Sequence, residues 1–421
     1  MPYYTISFGQ DSKYNENVGN GFSKFMITDL LRNKYAYDGV VCTDWRITAD
    51  EGKTPEIFAG KSWGVEKLSV AERHYKVLMA GVDQFGGNDA AGPVIEAYRM
   101  GVKEHGEAAM RKRFEQSATR LLRNIFQIGL FENPYVDPAA SSQIVGKASY
   151  MQAGYETQLK SIVLLKNKSA ALPVQKNKIV YIPKRVTPAG RDFFGNTTPE
   201  KLDYPVNMEL VKKYFTVTDD PSKADVALVF VKGPSGGSGY DKNDKNNGGN
   251  GYVPVTLQYG PYTASYAREK SMAAGDPIID PANTNRSYKG KTITAANNSD
   301  LKTILDTKAA MGGKPVIVSL ALSNPAVVLE FEKEVSGIIA SFGVQDQALL
   351  DIISGAKSPS GLLPLQMPAD MRTVEEQKED VPRDMKCHVD TEGNTYDFAF
   401  GLNWKGIIKD SRTLKYGKRP K

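Results

Sequence analysis

Short apolar runs alternate with stretches of helical periodicity over the first 132 residues. Three apolar runs predict strands, at 3–8, 40–45 and 81–85. Three stretches with apolar residues at helical spacing predict helices, at 21–32, 71–79 and 111–128. The alternation of strand and helix is typical of parallel β/α units. The pattern therefore predicts a parallel β/α region in which the chain begins directly in a strand.

A second region follows residues 133–150, which contain proline and serine, lack periodicity and predict an interdomain linker. The apolar pattern predicts a helix at 153–165. Four strongly apolar runs then predict strands, at 179–182, 226–231, 316–322 and 337–342. Runs this apolar are typical of a parallel sheet with helices on both faces. We therefore predict an α/β fold for this second region.

The second domain is predicted over 151–370, followed by a tail at 371–421. A long insertion rich in glycine, asparagine and tyrosine interrupts the domain at 232–300, and loops of this length are usually functional or disordered. The tail is charged and irregular except for an aromatic motif at 396–404, which we expect to pack back on the domain.

Composition excludes several classes of function. The 54 Lys and Arg against 48 Asp and Glu give a net charge of +6 over 421 residues, too dilute for a nucleic-acid or membrane-surface site. No apolar run reaches the roughly 18 residues of a membrane span. The two cysteines, Cys42 and Cys387, lack metal-ligand spacing, and the glycine-rich stretch 233–239 does not fit a dinucleotide motif. We therefore predict no metal, no cofactor, no nucleic acid and no membrane partner.

Carboxylates are the strongest candidates for chemistry, because the three histidines are scattered along the chain. Asp44 ends an apolar strand and is followed directly by Trp45, the position where β/α barrels carry catalytic groups beside an aromatic face. A strand-end aspartate also serves as a helix cap or an ion-pair partner. Asp83 ends the next predicted strand, and for it we favour that structural interpretation.

Six ordered motifs extend over most of the chain. In chain order they are FMITDLLR with YDGVVCTDW at 25–32 and 37–45, AGVD at 80–83, IGLFENPY at 128–135, SIVLLKN with LP at 161–167 and 172–173, PSGLLP at 359–364, and YDFAFGLNW at 396–404. Together they resemble the signatures of glycoside hydrolase family 3, of the β-glucosidase type. This resemblance implies a β/α (TIM-type) barrel followed by an α/β sandwich with a six-stranded, mostly parallel sheet, with the active site between them.

The same resemblance implies roles for individual residues. Asp44 is the nucleophile that forms a covalent glycosyl-enzyme, Trp45 lines the sugar subsite, and Tyr4 lies near the carboxylate. The implied activity is that of a retaining, exo-acting β-glycosidase, β-glucosidase-like, with a carbohydrate substrate. Retention needs a second carboxyl group roughly 5 Å away as acid/base.

The sequence departs from the family pattern at this acid/base. Members of the family use a Glu from a loop of the second domain, but residues 232–251 contain no Glu, and Ser238 stands in the corresponding position. A hydroxyl cannot deliver a proton at useful pH. We nominate Asp241, three residues further on, as the acid/base. The alternative is a solvated loop aspartate paired with a neighbouring lysine.

The second departure concerns the barrel. A complete barrel takes ~250 residues, whereas the matched motifs begin near its sixth strand and residues 1–132 precede the linker. We therefore expect a chain that represents the C-terminal part of the barrel plus the sandwich. A partial barrel leaves open strand edges, so the missing N-terminal portion or a homo-oligomer is the expected partner. The family resemblance favours a periplasmic or secreted location for the full-length protein.

Two other functions stay open from the residues alone. A non-catalytic glycan-binding or vestigial protein would keep the sandwich domain beside an incomplete active site. A phosphorylase-like variant would account for the missing Glu through a changed acid/base or acceptor. A glycosyl adduct on Asp44 distinguishes the glycosidase from the binding protein, and phosphate-dependent turnover identifies the phosphorylase.

Overall fold

The computed structural model describes residues 1–7, 9–50, 60–191, 196–236, 239, 241–269, 287–378 and 381–418. Contacts divide this part of the chain into two compact units, the first Met1–Ile144 and the second the residues from Val145 onward. The finer domain boundaries proposed from the sequence stay a prediction.

The described residues of the first unit form two strands among helices. In chain order its elements are a 3₁₀-helix Asn20–Phe22, a π-helix Phe25–Lys34, β1 Cys42–Trp45, α1 Val70–Ala80, β2 Gln84–Gly86, α2 Ala91–His105, α3 Glu107–Gln127 and α4 Pro138–Ile144. Strands β1 and β2 pair in parallel, with Cys42 opposite Gln84 and Trp45 opposite Gly86. The helices and strands predicted over 21–128 therefore form, with shifted ends.

Local sequence explains the boundaries of α1. The Ser69 hydroxyl accepts a hydrogen bond from the Glu72 amide, and the Glu72 carboxylate accepts one from the Ser69 amide, so a capping box starts the helix. Gly81 ends it with a φ of 107°, a conformation that favours glycine. The buried face of α1 contributes Val77 to a core that includes Phe22 and Val41.

The strand predicted at 3–8 does not form. Within the described part of this segment, Ile6 makes an isolated antiparallel bridge to Gly19, and Phe8 lies outside the described residues. An extended apolar segment becomes a strand only when a neighbouring strand takes up its backbone groups, and the described residues supply one such contact here. The expectation that the chain begins in a strand was wrong.

The second unit is built around a large sheet. In chain order its elements are α5 Ala148–Ser161, β3 Val163–Asn167, a 3₁₀-helix Lys168–Ala170, β4 Ile179–Tyr181, β5 Arg185–Thr187, β6 Gly190–Arg191, β7 Thr197–Thr198, β8 Lys201–Asp203, α6 Met208–Val211, β9 Thr216–Thr218, a 3₁₀-helix Pro221–Lys223, β10 Val226–Lys232, α7 Lys242–Asn246, β11 Tyr262–Thr263, β12 Thr292–Ile293, α8 Ser299–Met311, β13 Val316–Ala321, a 3₁₀-helix Glu332–Glu334, β14 Gly337–Ser341, α9 Asp346–Ile353, α10 Met371–Glu376, β15 Leu402–Asn403, β16 Gly406–Ile407 and α11 Ser411–Tyr416.

The main sheet has eight strands in the order β16-β15-β3-β14-β13-β10-β4-β9. The five strands from β14 to β9 pair in parallel. At the other edge, β3, β15 and β16 join by antiparallel pairing. The α/β class is therefore confirmed, but the expected six-stranded, mostly parallel sheet was wrong. Residues 402–407 extend the sheet past β3, and the antiparallel strands β3, β15 and β16 make the sheet mixed.

The helix predicted at 153–165 ends earlier, at Ser161. The following residues form β3, in which Val163, Leu164 and Leu165 are completely buried. β3 lies between β14 and β15, and its alternate side chains enter two separate hydrophobic cores, Val163 and Leu165 one and Leu164 the other, so both of its faces are covered. A run that is apolar on every side fits a buried strand as well as a helix, and neighbouring strands decide the outcome.

No helix in the described part of the chain has the length and apolar character needed to cross a membrane. The described residues also contain no group of three or more His, Cys, Asp or Glu arranged to hold a metal ion.

Candidate functional site

Asp44 lies near the C-terminal end of β1, partly exposed. Its Oδ1 accepts a hydrogen bond of 2.7 Å from the backbone amide of Trp45. The indole of Trp45 is 51% exposed, which leaves a flat aromatic surface open next to a carboxylate. A carboxylate can accept hydrogen bonds at both of its oxygens, so the bond from the Trp45 amide leaves acceptor capacity for a ligand.

Tyr4 contacts the same end of β1. Its hydroxyl donates a hydrogen bond of 2.9 Å to the Trp45 carbonyl oxygen. Burial, followed by the nearby negative charge of Asp44, raises the pKa of Tyr4 to about 12. Tyr4 therefore stays a protonated hydrogen-bond donor across the physiological range. The structure brings together three of the residues selected from the sequence, namely Tyr4, Asp44 and Trp45.

Two glycines that the sequence analysis did not single out shape this end of β1. Gly86 donates through its amide to the Thr43 hydroxyl at 2.7 Å, and its carbonyl accepts from the Arg46 amide at 2.8 Å. Gly87 has a φ of 68°, and a Cβ built on it would lie 2.5 Å from the Trp45 ring. Glycine at 87 therefore lets the backbone pass under the indole.

A row of aromatic rings, Tyr3, Tyr4 and Trp63, extends from this site. The ring centroids of Tyr3 and Tyr4 are 5.9 Å apart, and so are those of Tyr4 and Trp63. Sequence reasoning missed Trp63, which follows a segment without apolar periodicity. The only signal was the presence of tryptophan, a large apolar side chain, in a polar loop.

Neighbouring residues hold the buried Asp83 carboxylate through hydrogen bonds. The carboxylate accepts hydrogen bonds from Arg32 at 2.5 Å, Ser117 at 2.7 Å, Arg120 at 3.1 Å and the Val41 amide at 3.0 Å. Burial alone would raise the pKa of Asp83, but these donors lower it below its usual value. These contacts tie α3 and the π-helix to the loop before β2, so the contacts of Asp83 are structural.

The second unit carries the other nominated carboxylate, Asp241, in the loop after β10. Asp241 is exposed, and its amide donates to the Gly251 carbonyl oxygen at 2.7 Å. Ser238, for which the resemblance implies the family's acid/base position, and the neighbouring Tyr240 lie outside the described residues.

Asp244 is held differently from Asp241. Lys291 donates to its carboxylate at 2.6 Å, and the Gly251 amide donates to it at 2.7 Å. The hydrogen bond from Lys291 lowers the pKa of Asp244 below its usual value. Lys291 also donates to the Asn250 side chain and the Tyr252 carbonyl oxygen, each at 2.6 Å. Asp244 is thus an ionised anchor of the loop, a poor source of protons.

A buried polar cluster in the second unit also escaped the sequence analysis. Lys166 of β3 is completely buried and donates to Glu332, to the backbone carbonyl oxygen of Glu332 at 2.8 Å and to Thr391 at 2.9 Å. The His388 ring nitrogen Nε2 lies 3.6 Å from the Glu332 carboxylate. The signal in the sequence was a lysine directly after four apolar residues, 162–165.

Comparisons with known proteins agree on one family. Residues 263–404 match the family model described as "Glycosyl hydrolase family 3 C-terminal domain". The chain is 28% identical over 404 residues to "Probable beta-glucosidase C" of Aspergillus flavus, which covers 96% of this chain and 51% of that protein. It is 30% identical over 414 residues to "Periplasmic beta-glucosidase/beta-xylosidase" of Dickeya chrysanthemi, and this match covers 96% of this chain and 52% of the Dickeya protein.

Solved structures show the same fold. A β-glucosidase from Listeria innocua, in complex with isofagomine, superposes with a TM-score of 0.59 at 18% identity, covering 91% of this chain and 50% of the Listeria chain. The chain thus spans about half the length of the curated relatives it matches.

Proposed function

Because the chain belongs to glycoside hydrolase family 3, we propose that it forms the nucleophile-bearing part of a retaining, exo-acting β-glycosidase of β-glucosidase-like specificity. The observation that carries this proposal is the Asp44 carboxylate on β1, held through one oxygen by the Trp45 amide beside an exposed indole. The names of the relatives, β-glucosidases and a β-glucosidase/β-xylosidase, support a β-linked glycoside as substrate.

The proposed chemistry starts with Asp44. One of its carboxylate oxygens attacks the anomeric carbon as the bond to the leaving oxygen breaks, giving a covalent glycosyl-enzyme. A second carboxyl group gives its proton to the leaving oxygen and then takes a proton from the water that releases the sugar. The Trp45 indole stacks on the apolar face of the sugar ring. Tyr4 holds the Trp45 carbonyl and thereby orients the end of β1.

Asp241 is the proposed acid/base. Of the two aspartates considered in the loop after β10, Asp244 is ionised and held by Lys291, which supports assigning the proton transfer to Asp241. The test compares Asp241→Ala and Asp244→Ala on glycosides with alkyl and with 2,4-dinitrophenyl leaving groups. Loss of rate confined to alkyl glycosides in Asp241→Ala supports the assignment, because activated leaving groups need little acid help. Equal losses on both substrates refute it.

The relatives extend over about twice the length of this chain. We propose that the active assembly includes a partner that completes the barrel, either the N-terminal portion found in the relatives or a second copy of this chain. The relatives from Dickeya chrysanthemi and Salmonella typhimurium are named periplasmic, which supports a periplasmic or secreted location.

Labelling of the nucleophile tests the function. The chain is incubated with 2,4-dinitrophenyl 2-deoxy-2-fluoro-β-glucoside, alone and with the N-terminal half of the Dickeya chrysanthemi relative, and then digested for peptide mass analysis. One fluoroglucosyl group on the peptide that contains Asp44, absent in Asp44→Asn, is the expected result. If neither mixture is labelled while the intact relative is, the nucleophile assignment is wrong. Retained sugar binding would then support a glycan-binding protein.

A further inference from the structure

We propose that Asn297 is a positioning residue for proton transfer, because it holds the start of the loop at 233–241 on which the proposed acid/base Asp241 lies. This inference deepens the proposed function and rests on it for the role of Asp241. Asn297 and the groups that it contacts belong to the second unit. These contacts therefore do not depend on the partner that we propose to complete the barrel.

The Asn297 side chain binds the backbone of this loop from two sides. It is 3% exposed. Its Oδ1 accepts a hydrogen bond of 2.8 Å from the Ser235 amide, and its Nδ2 donates to the Gly233 carbonyl oxygen at 3.1 Å. Beside it, the Ala296 amide donates to the Ser235 carbonyl oxygen at 2.7 Å. Because the loop has left the sheet at the end of β10, these bonds take the place of pairing with a neighbouring strand.

A buried ion pair fixes Asn297 in turn. Asp300, the second residue of α8, is completely buried and accepts a hydrogen bond of 2.9 Å from Asn297 Nδ2. Arg185 binds both oxygens of the Asp300 carboxylate, at 2.7 and 2.8 Å. A bidentate arginine sets the plane of the carboxylate that it binds. Asp300 therefore presents an oxygen to Asn297 in a fixed direction, which orients the amide toward the loop.

The loop is held again further along. Gly236 makes an antiparallel bridge to Thr256, and the Asp241 amide donates to the Gly251 carbonyl oxygen at 2.7 Å. The backbone of Asp241 thus follows a segment that Asn297 holds at its start and residues 251–256 hold beyond it. A general acid must lie within hydrogen-bond reach of the leaving oxygen, and a displacement of about 1 Å lowers the rate strongly. Release of the loop at Asn297 is therefore expected to weaken proton transfer.

The first measurement needs no turnover. Hydrogen exchange of the full chain, read by mass spectrometry of peptides within 230–236, compares the wild type with Asn297→Ala. We expect the Ser235 amide to exchange at least about tenfold faster in the variant, because it loses its buried acceptor. The matched control is Asn167→Ala. Asn167 accepts from the Leu172 amide at 2.9 Å and donates to the Leu172 carbonyl oxygen at 3.0 Å, a clamp of the same kind outside this loop. The control leaves exchange at Ser235 unchanged.

The second measurement tests the role in proton transfer. The chain is mixed with the N-terminal half of the Dickeya chrysanthemi relative, and kcat/KM is compared on alkyl and 2,4-dinitrophenyl β-glucosides. Asn297→Ala is expected to lower kcat/KM at least about tenfold more on the alkyl glycoside, which needs acid help. A loss of folded protein lowers both rates equally, so a purely structural role leaves their ratio unchanged, as expected for Asn167→Ala.

Gly236→Ala is a second variant that leaves the Asn297 contacts in place. A Cβ at 236 would overlap the Thr256 side chain and displace the loop at its other attachment. It is expected to change the ratio of the two rates in the same direction as Asn297→Ala.

Exchange at Ser235 that is no faster in Asn297→Ala than in the control overturns the inference. Faster exchange with an unchanged ratio of rates also overturns it, because the loop then moves without affecting proton transfer. Failure of the proposed function shows separately: Asp44 of the wild type stays unlabelled and neither glycoside is turned over, whatever the exchange at Ser235. The role in proton transfer then fails with it, and the exchange result decides only whether Asn297 holds the loop.

Discussion

Lys166 and Glu332 form an ion pair in which the side chains are 0% and 5% exposed. The ammonium group has three acceptors: the Glu332 carboxylate, the backbone carbonyl oxygen of Glu332 and the Thr391 hydroxyl. Three acceptors match the three hydrogens of an ammonium group. The pair joins β3 to the short helix before β14 and to the loop at Thr391, so it connects three parts of the second unit.

Replacing Lys166 by methionine is expected to destabilise the second unit by about 3–5 kcal/mol, because it leaves the buried Glu332 carboxylate without its lysine partner. Urea unfolding followed by circular dichroism measures the change. The control Lys302→Met removes the lysine of an exposed pair with Asp306 and is expected to cost less than about 1 kcal/mol. A loss for Lys166→Met no larger than that of the control contradicts the prediction. The double variant Lys166→Met, Glu332→Gln should recover part of the loss.

The same pair predicts a dependence of stability on pH. Burial raises the pKa of Glu332, but the neighbouring His388 ring at 3.6 Å and the hydrogen bonds from Lys166 and the Thr391 amide outweigh it and lower the pKa from 4.5 to about 2. Because the folded pKa is depressed, the stabilisation is present above pH 4.5 and is lost as the pH falls toward 2. By pH 3 the loss is about 2 kcal/mol.

The measurement is the free energy of unfolding from pH 6 to pH 3, for the wild type and Glu332→Gln. The difference between the two proteins should shrink over this range by the amount attributed to Glu332. A difference that stays constant with pH would show that the carboxylate does not contribute in this way.

Asp83→Asn is expected to destabilise the first unit by at least about 3 kcal/mol, since it removes a buried charge that pairs with arginines and turns an amide N–H₂ toward them. Thermal and urea unfolding are the measurements. Asp38→Asn serves as the control, because Asp38 also pairs with Arg120 but is 61% exposed. Its expected loss is below about 1 kcal/mol. Equal losses in the two variants would refute the assigned role of Asp83.

Gly87→Ala is expected to displace the Trp45 indole, because the new Cβ would lie 2.5 Å from the ring. We expect a change in tryptophan fluorescence and at least about a tenfold slower labelling of Asp44. Gly106→Ala is the control: Gly106 also has a positive φ, 84°, but its Cβ would meet open space. Backbone strain is common to both variants, so any excess effect of Gly87→Ala reports the contact with Trp45. Identical fluorescence and labelling in the two variants would contradict it.

Secondary structure was predicted most accurately from the sequence where the apolar pattern of a segment agrees with its burial in the fold. The run 226–231 is apolar at every position, and β10 forms there because its neighbours β4 and β13 cover both edges. The run 162–165 is equally apolar, yet its periodicity did not distinguish helix from strand. That choice depends on β14 and β15, which come from residues far along the chain.

The pair Asp44 and Asp83 shows the same division for the candidate site. Both acids follow apolar runs, and the sequence by itself determined that each lies in a strand or beside one. It also determined the family and the adjacency of Asp44 and Trp45. Only the tertiary structure decided that Arg32, Ser117 and Arg120 converge on Asp83, that Tyr4 and Trp63 meet beside Trp45, and that Lys166 is buried against Glu332. The physical reason is that periodicity records which side of an element faces apolar surroundings, whereas charge pairing and ring contact depend on which distant elements pack there.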